Sequence, residues 1–500
     1  MAAVLPRTIG GAEPTDYCSR AFLSVRFRSR VLLVFPVRVT TSLFFWTISH
    51  STISPFLKSS AFARALGKLT YQWWIDQVHD PRIEKKTTYP LSMMVWEAIL
   101  LYVLKLGSRR QIKWLLRKNP AAILSHLAQL TKRDLSNLTT IAGDDAIKDL
   151  FAQLAVQHVQ NIVHQMIRHL LQQRKLEHSR LLDEYYMIAF DATGLFHRHS
   201  PHCSHCLVSK SKSGEVLYSH SVLEAKLITE SGFAFSVASE HVENQGDDNY
   251  DLSKEKEKQD CELKAFKRLA PTIKEAFPQL RICLLLDSLY AARTVMDICR
   301  EYGWVYVICY KEGSIPSVFD EFQRTLPKQP ENRCTWETPQ LGQQISWATG
   351  IEYHDHTLHV IRCVEQDKQT LESKTFLYLT NIKPTKPTVR ALANGAGRQR
   401  WKIENQGFNM QKNGGYNLEH VYTEDETAAK CFYLCLQIAH IINQIIEKGS
   451  LIQNACKKFG SIKNLSRHLC DALRHIFIDP ADIQALLSQP FQIRLNLNTT

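Results

Sequence analysis

The chain has 500 residues, of which 44% are hydrophobic and 22% charged, a composition typical of a folded globular protein and not of a disordered one. Lys and Arg number 61 against 49 Asp and Glu, and the formal net charge of +12 favours a polyanionic partner such as nucleic acid. The 13 cysteines form no compact even-numbered framework, and no cleavable signal peptide is expected. These features argue against a disulfide-stabilised secreted domain and favour a reducing compartment.

Residues 1–60 are rich in Arg, Ser and Thr and lack steady periodicity. We expect a loosely structured arm or an extension from an upstream start codon. The apolar stretch VLLVFPVRVTTSLFFWTI at 31–48 is interrupted by Pro36 and Arg38. Because its apolar runs are too short to span a bilayer and a charge inside a span is costly, we interpret the stretch as non-membrane.

The pattern from residue 61 to residue 182 is helical. Apolar residues recur three and four apart in VWEAILLYVLKL, AAILSHLAQL and FAQLAVQHVQNIVHQMIRHLL, which predicts an all-α region. Between two of these helices, LGSRRQIKWLLRKNP carries Arg109, Arg110 and Lys113 without acidic compensation, and Ser108 is a predicted helix cap. Two interpretations of the basic side chains stay open, a solvated helix face or a surface that contacts DNA phosphates.

Residues 183–313 have an α/β pattern. The runs YYMIAFD, GEVLYSHSVLEAKLI and GFAFSVASEHV predict a three-stranded meander whose first strand ends at Asp191. A charged helix, DLSKEKEKQDCELKAFKRLAPTIKEAF, precedes the apolar strand RICLLLD, which ends at Asp287. The helix AARTVMDICREYG and the strand WVYVICYK complete the α/β order.

Residues 314–382 alternate between apolar and polar positions in QISWATGIEYHD, TLHVIRCVEQ and KTFLYLTNI, which predicts a β-rich insertion. Within it, turn or surface positions explain His354 and His356 at least as well as a ligand role. A helical pattern returns over 383–450, through RWKIENQGFNMQK and TAAKCFYLCLQIAHIINQIIEKG. Residues 451–500 are predicted to be a C-terminal tail.

Three acidic residues stand out from this pattern. Asp191 and Asp287 each close an apolar strand, where open α/β sheets present chemistry to solvent. Glu404 lies on a predicted helix with Arg400 four residues earlier on the same face. If the three carboxylates converge, their oxygens suit two Mg²⁺ or Mn²⁺ ions and leave positions for phosphate oxygens and water. Acids at strand ends and helical Arg–Glu pairs are common, so the pattern by itself does not decide the question.

The blocks FDATG, LLLDSLYAA, YLTNI and RWKIENQGFNMQKNGGYNLEH occur in this order between residues of about 80 and about 447. In motif and element order the chain resembles the DDE-type transposases of bacterial insertion sequences, in the branch with a β-strand insertion before the catalytic glutamate. The resemblance implies an RNase H-like catalytic core preceded by a helical DNA-binding region. It also implies cutting and joining of DNA by two-metal phosphoryl transfer at Asp191, Asp287 and Glu404.

The resemblance further implies transposon terminal inverted repeats and target DNA as partners, a homodimer in the synaptic complex, no membrane, and a cytoplasmic, nucleoid-associated location in a bacterium. Arg400 would contact a phosphate near the scissile bond, with a structural salt bridge to Glu404 as the alternative. Trp401 could stack on an unpaired base, with packing as the alternative.

The chain departs from the family at two positions around Glu404. The family has Tyr three residues before the arginine and Lys seven residues after the glutamate, where this chain has Gly397 and Gln411. Lys412, the candidate phosphate contact, comes one residue late. On a regular α-helix one residue is a rotation of about 100°, which would turn Lys412 off the Glu404 face.

Two rival functions are compatible with the same sequence. A nuclease that hydrolyses DNA without joining it would use the same metal site. A non-catalytic DNA-binding protein derived from a transposase would use only the basic surface. The intact set of three acids argues against the second rival.

The segment HRHSPHCSHC places Cys203 and Cys206 at the CxxC spacing of a zinc knuckle. A closed zinc site needs two more ligands, and we predict one histidine of this loop, which contains His197, His199, His202 and His205, together with Cys261. A plain loop with free thiols is the alternative.

Asp260 and Glu262 flank Cys261 on the charged helix and are predicted to belong to a solvated face. Cysteines in apolar runs are predicted to be small buried hydrophobes, namely Cys283, Cys299, Cys309, Cys431 and Cys435.

Overall fold

The computed structural model describes residues 71–201, 203–211, 213–244, 259–449, 459–475 and 495. The predicted N-terminal arm, its apolar stretch, His202 and much of the predicted tail lie outside the described residues. The described residues form a mixed α/β protein in which helices pack around one large mixed sheet. The α/β class predicted from the sequence is confirmed at this level.

Helices make up the first part of the described chain, as predicted. They are α1 (Tyr71–Asp76), α2 (Leu91–Val103), α3 (Pro120–Thr131), α4 (Asp144–Phe151) and α5 (Val156–Gln172). Every residue of α2 is buried, which is typical of a helix at the centre of a core. The basic segment forms a π-helical turn at Ile112–Leu116 with no side-chain cap, so the predicted capping by Ser108 is wrong.

The predicted meander is present with one short additional strand. Its strands are β1 (Tyr186–Arg198), β2 (Leu207–Lys210), β3 (Val216–Ile228) and β4 (Ala234–Val242). β3 is antiparallel to the other three. Because β3 keeps pairing with β1 as far as Arg198, Asp191 lies inside its strand and not at the end, contrary to the prediction.

Two parallel strands follow the meander, each preceded by a helix. The elements are α6 (Glu262–Ala276), β5 (Ile282–Leu286), α7 (Arg293–Tyr302) and β6 (Val305–Tyr310). β5 is parallel to both β1 and β6, so it lies between them in the sheet. All of β5 is buried, as its continuous apolar sequence predicted.

The β-rich segment begins with a helix and then extends the same sheet. Its elements are α8 (Pro316–Thr325), β7 (Arg333–Glu337), β8 (Leu341–Tyr353), β9 (His356–Asp367) and β10 (Ser373–Thr380). β10 pairs antiparallel with β6, so these strands continue the sheet outward. The prediction missed α8, whose buried residues Val318 and Phe322 are four apart, at helical spacing.

The segment that carries Glu404 departs from a regular α-helix. It consists of a π-helical turn (Ala391–Ala396), a 3₁₀ turn (Gly397–Trp401), a second π-helical turn (Ile403–Phe408) and the short helix α9 (Asn409–Asn413). We call residues 391–413 the composite helix. Single π turns inside helices are frequent at functional sites.

The central helix of the protein is α10 (Glu426–Lys448), which contacts α2, α4, α5 and β4. Its length and composition would allow it to cross a membrane, but 89% of its most apolar window is buried inside the protein. No other helix in the described ranges meets both criteria. The described part of the predicted tail contains a further helix, α11 (Ile462–His475), which packs against α3.

A fully buried ion pair fixes β3 to α10. Lys226 Nζ lies 2.9 Å from Glu224 Oε2 and donates to Gln437 Oε1 at 2.8 Å. Glu224 also accepts hydrogen bonds from Ser236 Oγ at 2.9 Å and from Tyr433 Oη at 2.8 Å. Burial lowers the pKa of Lys226, and the adjacent Glu224 opposes this effect. Removing either charge would leave the other buried without its counter-ion.

We therefore expect Lys226→Met to lower the free energy of unfolding by about 3–5 kcal/mol, the usual cost of breaking a buried pair. The double variant Lys226→Met/Glu224→Gln should lose less, because no uncompensated charge remains. Urea denaturation measures both. Lys368→Met removes the exposed partner of Glu337 and should change stability by about 1 kcal/mol or less. An equal loss in Lys226→Met and Lys368→Met would contradict this account of the buried pair.

Candidate acidic site

Asp191 and Asp287 lie just beyond the paired parts of two neighbouring parallel strands. The pairing of β1 with β5 ends at Ala189 and Leu285; Asp191 lies two residues further along β1, and Asp287 directly follows β5. Adjacent strands are about 4.8 Å apart, so the two aspartates come from neighbouring positions at this edge of the pairing. The Asp287 carboxylate also accepts a hydrogen bond of 2.8 Å from Leu289 N, which begins the short 3₁₀ turn after β5.

Arg400 connects Asp191 to Glu404. Its Nη2 donates to Glu404 Oε1 at 2.7 Å, and its Nη1 lies 3.4 Å from Asp191 Oδ2. The Arg400 side chain is only 10% exposed. The predicted salt bridge to Glu404 is therefore present, and the contact with Asp191 is a second one that spacing along the chain could not indicate.

Glu262 is a fourth acidic residue of this site, and sequence reasoning missed it. It is the first residue of α6, and its charge acts on Asp191 and Asp287. Tyr290 Oη donates to Glu262 Oε2 at 3.4 Å. The predicted solvated face is wrong for Glu262, which is largely buried. It is also wrong for Asp260, whose side chain is 6% exposed and pairs with Arg268 at 2.7 Å.

Burial and the neighbouring carboxylates raise the pKa values of Asp191 and Glu262. Burial raises the pKa of Asp191 to about 7, and the charges of Glu404, Glu262 and Asp287 act in the same direction against Arg400. Burial also raises the pKa of Glu262, with a further contribution from Asp287. Four acids near one buried guanidinium leave an excess of negative charge, which favours the binding of cations.

The donor set fits Mg²⁺ or Mn²⁺ and not a soft metal, because every donor is a carboxylate oxygen. Asp191 and Asp287 would hold the ions, with Glu404 and Glu262 beside them. Two groups of three potential ligands have donor atoms within 4.8 Å of one another in the described ranges, and neither contains these acids. Arg400 lies between Asp191 and Glu404, which explains why their oxygens do not form a tighter group.

Trp401 is exposed beside this site. The residue is 52% exposed, and Arg400 Cζ lies 5.7 Å from the centroid of its ring. Burial against the core, the alternative interpretation of this tryptophan, is therefore wrong. An exposed indole next to a guanidinium offers a flat surface on which a base could stack.

The composite helix changes the expected position of Lys412. A π-helical turn accommodates one more residue than an α-helical turn, and such a turn spans Ile403–Phe408. The expected rotation of about 100° assumed a regular helix, so it does not apply here. Gln411 is buried and bonded to Gln437, whereas Lys412 is partly exposed and pairs with Glu419 at 2.8 Å.

The other departure from the family, Gly397, has a packing reason. A Cβ at this position would lie 2.3 Å from Cε1 of Tyr378, far inside van der Waals contact. The ring of Tyr378, from β10, fills the space that a side chain of residue 397 would need. Glycine therefore allows the 3₁₀ turn that carries Arg400 to pack directly on the sheet.

The basic segment divides into packed and exposed residues. Arg109 Nη1 donates to the carbonyl of Asp144 at 3.1 Å, and its side chain is 19% exposed. Arg110 and Lys113 are exposed. They flank Trp114, which is 54% exposed and lies between Lys113 and a second lysine, both within 6 Å of its ring. The geometry therefore favours a structural role for Arg109 and leaves Arg110 and Lys113 available to a partner.

The CxxC loop meets His220 and not Cys261. His220 Nε2 lies 3.1 Å from Cys203 Sγ and 3.4 Å from Cys206 Sγ. Cys261 lies at the start of α6, outside this group. The sequence signal for His220 was weak, because it is a single histidine inside the strand sequence YSHSV.

The second compact group of possible ligands consists of Asp297, Asp355 and His356. Arg300 pairs with both carboxylates, at 2.9 and 2.8 Å, and Arg293 pairs with both at 3.6 and 3.5 Å, so two guanidinium groups balance their charge. We interpret this group as an ion-pair network that ties α7 to the turn between β8 and β9. His354 lies in that turn, as expected, whereas His356 is buried and 2.9 Å from Asp297, so a surface position for it is wrong.

The remaining cysteines have varied surroundings. Cys283, Cys299, Cys431 and Cys435 are buried, as predicted, whereas Cys309 is only partly buried and close to Arg400. No disulfide joins cysteines within the described ranges.

No protein-family model matches the chain, and no curated protein matches its sequence. The motif resemblance therefore stands on the quoted residues alone, and the acidic geometry is the main argument about function.

The raised pKa of Asp191 predicts how stability depends on pH in the absence of divalent metal. Between about pH 4 and pH 7 the folded chain keeps a proton that an unfolded aspartate has released, so the free energy of unfolding should fall as pH rises through this window. Asp191→Asn should reduce this slope, and the raised pKa of Glu262 should preserve part of it.

Urea denaturation in EDTA at about pH 5 and about pH 8 measures the slope. Asp320→Asn, at an exposed position on α8, is the matched control and should keep the wild-type slope. A wild-type slope in Asp191→Asn would contradict the assigned environment of Asp191.

Proposed function

We propose that this chain is a DDE-type transposase that cuts DNA at transposon ends and joins those ends to target DNA. The observation that carries the proposal is the grouping of Asp191, Asp287 and Glu404. The two aspartates lie just beyond the paired parts of adjacent parallel strands, and Arg400 connects Glu404 to Asp191. Carboxylate oxygens in this arrangement suit two-metal phosphoryl transfer.

The sheet gives further support. An antiparallel meander followed by two parallel strands, with acids on β1 and after β5, has the element order of the RNase H-like core that the motifs resemble. The extra strands β7–β10 lie between β6 and the composite helix, where the resembling branch carries its β insertion. The RNase H-like assignment is part of the proposal.

In the proposed mechanism, divalent ions bound at the acidic site would supply activation of the attacking water or 3′-hydroxyl and stabilisation of the leaving oxygen. Asp191, Asp287 and Glu404 would hold these ions. Arg400 orients the Asp191 and Glu404 carboxylates before substrate binds, and its guanidinium can exchange a carboxylate contact for a phosphate oxygen. Glu262 adds negative charge beside Asp287 and helps to retain cations near the two aspartates.

The DNA would lie across the exposed surface next to the acids. Trp401 would stack on an unpaired base beside the cut, and Lys412 would reach a phosphate if it left Glu419. Arg110 and Lys113 would contact the phosphate backbone of the terminal repeat. The proposal also includes a homodimer that brings two transposon ends together. Target DNA would be the second substrate.

The first test is Mg²⁺-dependent cleavage and strand transfer on DNA that carries the element's own ends. We expect Asp191→Ala, Asp287→Ala and Glu404→Ala each to lose both activities by at least about 10³-fold while binding DNA normally, because each removes a metal ligand. Glu262→Gln should reduce activity less than the three ligand variants. Glu275→Gln, at an exposed position on the same helix, is its matched control and should be fully active.

The results of this test distinguish the transposase from the two rival functions. Cleavage without joined products would indicate the nuclease. Tight DNA binding in EDTA with no cleavage in Mg²⁺ would indicate a non-catalytic DNA-binding protein. Full activity in any one of the three alanine variants would remove that residue from the site.

The basic surface gives a separate prediction. We expect Arg110→Ala/Lys113→Ala to weaken DNA binding at all sequences and to lower the slope of log affinity against log salt by about 2, since each phosphate contact contributes about 0.9. Arg324→Ala/Lys328→Ala removes the same charge from exposed positions in the last turn of α8 and just after it, and should leave the slope unchanged. Equal slopes in the two double variants would favour a solvated helix face at Arg110 and Lys113.

A further inference from the structure

Three soft metal ligands meet at the far end of the β1–β3 pair. Cys203 and Cys206 come from the loop after β1, and His220 lies on β3 opposite Phe196. Their donor atoms lie within 4.8 Å of one another, and Cys206 and His220 are buried. The Phe196 ring stacks on the His220 imidazole at 5.0 Å between centroids, which restricts its orientation.

The distances fit a tetrahedral zinc site that lacks its ion. At Zn–S and Zn–N bond lengths of about 2.3 and about 2.0 Å, a sulfur and a nitrogen on one zinc are about 3.6 Å apart. In the protein the two Sγ–Nε2 distances are 3.1 and 3.4 Å, so the ligands would separate by only a few tenths of an ångström. His220 Nε2 is the atom that approaches both sulfurs, as coordination requires.

We propose that Cys203, Cys206 and His220 bind a structural zinc ion. Two thiolates and an imidazole are ligands that favour zinc over Mg²⁺ or Mn²⁺, so this site and the acidic site would select different metals. The site differs from the one predicted from the sequence, because His220 takes the place assigned to Cys261.

We assign Glu426, the first residue of α10, as the fourth ligand. It lines the same cavity as His220, and its Oε2 lies 3.3 Å from Nε2 of His205 in the CxxC loop. Glu426 lies outside the group of three donor atoms and its Oε1 pairs with Lys430 Nζ at 2.7 Å, so its carboxylate would move toward the ion on binding. Zinc would then join the loop, β3 and the start of α10.

The zinc site is separate from the acidic site. Phe196, opposite His220, lies five residues after Asp191 on β1, roughly 16 Å along a strand that rises about 3.3 Å per residue. The inference does not depend on the proposed transposase activity, and its test uses no DNA.

The test measures the zinc content of the full-length chain by mass spectrometry after expression with zinc and purification under reducing conditions. We expect about one equivalent per chain, falling to background in Cys206→Ser and His220→Ala. Cys261→Ser is the matched cysteine control and should keep the metal. Asp191→Ala should also keep it, which separates this ion from those at the acidic site. Glu426→Ala should retain zinc more weakly when challenged with a chelator.

Replacement of zinc by Co²⁺ gives a second measurement, since thiolate coordination produces an intense charge-transfer absorption. Wild-type protein should show this band, and His220→Cys should retain metal with a stronger band, because a third thiolate replaces the imidazole. This variant keeps the inference testable if His220→Ala fails to fold. Substoichiometric zinc in the wild-type protein, or a full equivalent in folded His220→Ala, would overturn the proposal.

Discussion

The acidic site depends on two contacts of the Arg400 guanidinium, one with Asp191 and one with Glu404. Asp191 is close to the like charges of Asp287, Glu404 and Glu262, and burial adds a cost to the charged forms of Asp191 and Glu262. Arg400 offsets part of this repulsion by bonding to two of the acids, which belong to segments far apart in sequence. The Arg400 guanidinium therefore lowers the electrostatic cost of grouping these acids, and it fixes the composite helix over β1.

The sheet determines the positions of the two aspartates. Parallel pairing of β1 with β5 brings Asp191 and Asp287 to neighbouring positions. The buried pair of Glu224 and Lys226 lies on β3, where Glu224 is opposite Asp191, and connects this part of the sheet to α10. The buried pair therefore anchors the sheet directly beside the acids, which favours a preorganised site.

The sequence was sufficient for features that depend on local pattern. The strands β3 and β5 and the amphipathic helices follow from the pattern of apolar side chains, which is a property of a short segment. Asp287 could be placed for the same reason, because it ends a short and strongly apolar strand. Asp191 was identified correctly as a residue of β1, but the length of that strand is set by its partner β3 and could not be read from β1 alone.

Features that arise where distant segments of the chain come together could not be predicted from the sequence. Glu262 follows a polar stretch and looks like any acid in the first turn of a helix, and only the packing of α6 brings it beside Asp287. His220 has no local signature, because its metal-binding character arises from a loop that returns to it. The π turns of the composite helix also escape a periodicity argument, since an irregularity of one residue is too small to alter the apolar pattern.

The two π turns of the composite helix, one before and one after Arg400, affect how this segment can change in length. A π turn is equivalent to one residue inserted into an α-helix, and the segment contains two of them, at Ala391–Ala396 and Ile403–Phe408. Loss of a single residue from either turn can restore α-helical geometry there, while the helix beyond keeps its rotational phase. The segment can therefore gain or lose a residue in evolution without turning its buried face, Phe408 and Gln411 included, away from the core.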